Sequence, residues 1–68
     1  MNKLEYEKMY PKGTRVKIIE LCNYEKNYPA GLTGTVTHID DMLQIRVKWD
    51  NGGSIALLPE EGDKFIKI

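Results

Sequence analysis

QIRVKWDNGGSIALL, residues Gln44 to Leu58, decides the fold. Ile45, Val47 and Trp49 alternate with Arg46, Lys48 and Asp50. Successive side chains of a strand point to opposite faces, so this spacing predicts a half-buried strand with its apolar set inward. Asp50-Asn51-Gly52-Gly53 follows, then a second apolar run from Ser54 to Leu58. Asn-Gly accepts positive φ at both centres of a type I′ turn, and Gly52-Gly53 can serve the same purpose. Either way the two runs fold back as a hairpin.

The neighbouring segments repeat the theme with interruptions. In Thr14 to Cys22, Val16 and Ile18 share one parity, whereas Ile19 and Leu21 share the other. A change of face inside one strand predicts a bulge or sharp bend. In Thr33 to Asp40, Val36 and Ile39 are three apart, which predicts a second irregularity near Thr37-His38. Asp40-Asp41 opens the turn into the hairpin, and Pro59 ends its second strand. Glu60-Glu61-Gly62 forms a turn, with room for one turn of 3₁₀ helix, and Lys64 to Ile68 alternates as a last short strand. Five short, bent strands in so few residues predict an all-β fold, a small five-stranded barrel whose closure removes exposed edges.

Ahead of the strands, Asn2 and Glu5 have the spacing of a capping box, and Pro11 stops the segment. A short helix is therefore expected from Asn2 to Tyr10, with Tyr6, Met9 and Tyr10 on one face against the barrel. The 68 residues thus divide into an N-terminal helical segment, 1–11, and a β-barrel, 12–68.

Composition narrows the function. Ten basic residues balance ten acidic ones, so no global field draws the chain to nucleic acid or anionic membrane. No apolar run approaches membrane-spanning length, and no export signal is evident. A single cysteine, Cys22, suits a reducing cytoplasm, where it reads as a small packed side chain at a strand end. No metal, cofactor or enzymatic activity is expected. His38 is the only histidine, and no CxxC, HExxH, Walker-type or GxGxxG pattern occurs. Asp40 and Asp41 read as solvated turn formers. A monomer or weak dimer is expected.

Two surfaces remain as binding candidates. The long turn-rich connection Asn23–Leu32 carries Tyr24 and Tyr28, and Trp49 flanks the hairpin turn. An indole partly open at the rim would join both tyrosines in an aromatic groove for a protein partner, the favoured reading. The plain reading of the same rings is structural: parity groups Trp49 with Ile45 and Val47 in the core, and both tyrosines lie on the barrel and anchor the loop. The second surface is the outward parity. Arg15 and Lys17 on the first strand, Arg46 and Lys48 on the third, and Thr35 and Thr37 between them form a basic, hydroxyl-bearing face. Such a face suits phosphate contacts to nucleic acid or a ribonucleoprotein.

The phrases YPKGTRV (Tyr10–Val16), GLTGTV (Gly31–Val36), Asp40-Asp41 and VKWDNG (Val47–Gly52) stand in a fixed order. Together they resemble, across nearly the whole chain, a small bacterial family known only as a domain of unknown function, serial number four-three-one-four. The resemblance implies an SH3-like barrel and no activity, in genes often carried by phages and other mobile elements. The chain departs from the family pattern at Asn23–Ala30, and in having Leu43 where a glycine is usual after the acidic pair. The GTV segment is also similar to KOW-type SH3-like modules of ribosomal and transcription proteins.

Overall fold

The computed structural model describes residues 2–21 and 28–68. Asn2 caps helix α1 (Lys3–Met9), its side chain accepting from the Glu5 N–H at 2.9 Å while Glu5 reaches back to the Asn2 N–H. This is the predicted capping box. Strands β1 (Arg15–Glu20), β2 (Thr33–Ile39), β3 (Ile45–Trp49), β4 (Ala56–Leu57) and β5 (Lys64–Lys67) follow, with a 3₁₀ turn at Pro59–Glu61 between the last two. They form one antiparallel sheet in the order β4-β3-β2-β1-β5.

Both predicted irregularities are present. The β1–β5 register shifts between Ile18 and Glu20, which puts Ile19 outside at 46% exposure. The β2–β3 register shifts between Val36 and His38, so Ile39 returns to the core side with Val36. An extra residue on one strand restores the inward parity and increases the local twist.

The sheet is bent rather than flat, and its order leaves β4 and β5 as the two edges. Its edge strands β4 and β5 are consecutive in sequence, and the link between them is tight. Leu58 N donates to Asp63 Oδ2 at 2.8 Å, and Asp63 N donates to Leu58 O at 3.3 Å. Those bonds keep the facing ends of β4 and β5 within roughly 15 Å, given 3.8 Å per Cα step. In a flat five-stranded sheet the edge strands lie roughly 19 Å apart. The curled inner face buries Val16, Ile18, Val36, Ile39, Ile45, Val47, Trp49 and Leu57.

Helix α1 covers one end of this curl. Tyr6 is 4% exposed and its hydroxyl donates to Glu60 at 2.8 Å, tying the helix to the 3₁₀ turn. Lys3 pairs with Asp41 at 2.8 Å in the β2–β3 turn. Tyr10 packs on Phe65, ring centroids 5.3 Å apart. Met9 does not join the inward face as expected: it is 42% exposed. Its carbonyl instead accepts from Lys67 Nζ at 3.1 Å, fixing the helix end over β5.

The opening hairpin differs from the type I′ expectation. Gly52 N donates to Trp49 O at 3.0 Å, and Trp49 N donates to Gly53 O at 2.9 Å. This closes a three-residue loop, Asp50-Asn51-Gly52, in which only Gly52 has positive φ, at 90°. Asp50 starts the loop, with its side chain bonded to Arg15 and Thr33 on the outer face of the sheet. The preceding turn repeats the pattern: Leu43 N donates to Asp40 O and Asp40 N to Gln44 O, both at 3.1 Å. Leu43, at φ 60°, occupies the place that Gly52 holds in the other turn.

Candidate functional site

The two candidate surfaces emerge differently from the fold. Trp49 lies on the inner face at 1% exposure, and its indole N–H donates to Ile55 O at 2.9 Å. Core packing is thus the realised reading, and the expectation of an open indole at the rim is corrected. The indole fits because Gly34, directly across the ladder, has no side chain. A Cβ there would stand 2.7 Å from Trp49 Cε3 and 2.6 Å from Val47 Cγ1. Tyr28 is half-buried and meets Trp49 edge-on, centroids 6.4 Å apart. It anchors the end of the long connection. Tyr24 and Cys22 lie outside the described residues.

The outer face carries the basic set as parity predicts. Cross-strand registers align Arg15 with Thr35 and Thr35 with Lys48 in one row. Lys17 aligns with Thr33 in the next. Beyond the bulge, Arg46 is paired with His38. Thr37, the bulged residue, donates its hydroxyl to Arg46 O at 3.2 Å.

Two of the four cations carry carboxylate partners. The Arg15 guanidinium makes a two-pronged contact with Asp50, 2.9 and 2.7 Å, and also reaches Thr35 and Thr33. Asp50 also accepts from the Thr33 hydroxyl. These donors hold the Asp50 carboxyl well below the usual carboxylate range. Arg46 Nε donates to Asp40 Oδ2 at 3.0 Å. Asp40 Oδ1 accepts from the Gln44 and Met42 N–H groups, each at 2.9 Å. The backbone donors, Gln44 foremost, lower its pKa further than Arg46 does.

Asp40 thus has a role beyond the turn former read from the sequence. It orients Arg46, and its signal was the spacing Asp40 to Arg46 across a turn. Asp50 was missed as the partner of Arg15, because that contact spans three strands. Of the four cations, Arg15 and Arg46 are thus held by carboxylates, and Lys17 and Lys48 project without one among the described residues. An open groove of about 610 Å³ runs along the β3 side of this face, with Thr37, His38, Asp40, Arg46, Lys48 and Ser54 among the residues that line it.

His38 is exposed, with Nδ1 3.2 Å from the Thr37 hydroxyl. Among the described residues no group of three His, Cys, Asp or Glu side chains is arranged to hold a metal. No helix among them is long and apolar enough to cross a membrane.

Comparison with curated proteins found no match, and comparison with solved structures found none. A family model described as "Domain of unknown function (DUF4314)" matches residues 2–68, and the chain belongs to that family.

Proposed function

We propose that this is a non-catalytic binding module that contacts nucleic acid through the outer face of β1, β2 and β3. The observation that carries the reading is the alignment of Arg15, Lys17, Arg46 and Lys48 with Thr33 and Thr35 on one surface. Phosphate recognition needs positive charge and hydroxyl or N–H donors in one plane. Here the lysines supply charge, and Thr35, whose hydroxyl accepts from Arg15, keeps a proton to donate, whereas the Thr33 hydroxyl is spent on Asp50. Zero net charge on the chain does not oppose it, because within a Debye length of roughly 8–10 Å the local charge dominates. Asp50 and Asp40 orient the two arginines, so the mobile charges a ligand meets are Lys17 and Lys48. The curl also supports reading the sheet as an SH3-like barrel, since the 3₁₀ turn draws its edges together.

The test is fluorescence anisotropy with short single-stranded DNA and RNA at low salt. The double variant Lys17→Gln, Lys48→Gln should bind roughly tenfold or more weakly, two lost phosphate contacts being worth at least 1.4 kcal/mol together. Equal binding by the folded variant rejects this face. The protein-partner reading keeps one supporting feature, the half-buried Tyr28 ring. Its test is Tyr28→Ala, since truncating buried Trp49 would disturb the fold itself.

A further inference from the structure

The outer face of a curled sheet is convex, yet this one contains a trough. Its floor is β3, where Arg46 and Lys48 point outward two residues apart. One wall is the β2 bulge at Thr37 and His38. The other is the segment from Gly52 to Ser54, which leaves the hairpin turn beside β3. One strand spacing on either side of β3 separates the walls by roughly 10 Å. The volume, about 610 Å³, falls among small-ligand sites, which run about 300–1,000 Å³.

The lining has a definite chemistry. Asp40 holds Arg46 by Nε, which fixes the guanidinium plane and leaves its terminal nitrogens to donate elsewhere. That is a preset fork for a phosphate. Lys48, which has no ion pair among the described residues, adds a second charge on the same floor. The Thr37 hydroxyl donates to Arg46 O and also lies 3.2 Å from His38 Nδ1, so it is engaged within the protein and holds the His38 ring at the trough wall. Ser54 offers a hydroxyl on the other side, His38 a flat ring, and Gly52 a wall with no side chain. Phosphate on the floor, with sugar and base between a ring and a bare backbone, is how unpaired nucleotides are held. A duplex is too broad and stiff to bring a phosphate down between walls this close.

We infer that this trough seats one nucleotide of a single strand, so the module selects single-stranded over double-stranded nucleic acid. The inference rests on the outer-face reading above. The experiment compares a short oligothymidylate, an oligouridylate and a DNA duplex by anisotropy at low salt. It uses wild type, Lys17→Gln outside the trough, and Ser54→Glu on its wall, each verified as folded by its amide spectrum. Wild type should bind both single strands at least roughly tenfold more tightly than the duplex. Ser54→Glu should lose at least roughly tenfold, and Lys17→Gln only about twofold to threefold. The two homopolymers distinguish DNA from RNA as the source of the strand. Equal affinity for the duplex, or full affinity in Ser54→Glu with a large loss in Lys17→Gln, overturns the trough and leaves the outer-face reading standing. No binding of any probe removes both.

Discussion

Gly34 lies against the indole of Trp49: a Cβ on the glycine would sit 2.7 Å from Trp49 Cε3 and 2.9 Å from Lys48 O. The largest core side chain is therefore accommodated by the absence of a side chain on the adjacent strand. Neither group has room to give, because Trp49 is 1% exposed and Lys48 O belongs to the ladder backbone. Gly34→Ala should destabilise the fold by about 1–3 kcal/mol, the usual cost of overpacking. Urea unfolding followed by Trp49 fluorescence measures this, and a variant as stable as wild type would contradict the packing.

Leu43 and Gly52 hold corresponding positions in two turns of one design, and only Gly52 is suited to positive φ. A non-glycine residue there costs about 1–2 kcal/mol. Leu43 recovers part of that by packing against the core. Leu43→Ala loses the packing and keeps the strain, whereas Leu43→Gly loses the packing and removes the strain. The glycine variant should therefore be the more stable of the two by about 1 kcal/mol, read as a difference in urea midpoint.

The Arg15–Asp50 contact makes stability depend on acid pH. Asp50 and Asp40 both have depressed pKa values in the fold. A carboxylate with a depressed folded pKa contributes stability above its unfolded value, near 4, and loses it as pH falls through the folded value. Wild type should thus weaken steadily below about pH 4. Asp50→Asn should be less stable at neutral pH and should lose less on acidification. Unfolding midpoints across acid pH check both the direction and the difference.

Tyr6 gives the opposite sign at alkaline pH. Burial, with the Glu60 hydrogen bond second, pushes its pKa up to about 12. A raised folded pKa means the contribution is complete below the unfolded value, about 10, and is lost as pH rises toward 12. Tyr6→Phe should cost about 1.5–3 kcal/mol at neutral pH, the range for a hydrogen bond to a charged group. It should also remove part of the alkaline loss, as a pH series of thermal melts would show.

Strand order along the chain, both bulges, the capping box and the outward parity of the basic residues were legible in the sequence. Each is a local property: alternation, a break in alternation, or a cap spacing. The state of Trp49 was not, because parity assigns a face without saying how deeply that face is covered. That answer depended on Gly34 in another strand. The hairpin type was also hidden. Asn51-Gly52 favours type I′ locally, but the Asp50 side chain is held by Arg15 and Thr33 from β1 and β2. A long-range ion pair thus accompanies a turn with a different register.

The most direct measurement is a map of backbone amide shifts as a short single strand is titrated into the protein at low salt, repeated as salt is raised. The perturbed amides should cluster around Lys17, Thr35, Arg46, Lys48 and Ser54, with affinity falling by a log–log slope of about −0.7 for each phosphate engaged. No perturbation at low salt, or one centred on Tyr28 and indifferent to salt, would contradict the assignment of the outer face.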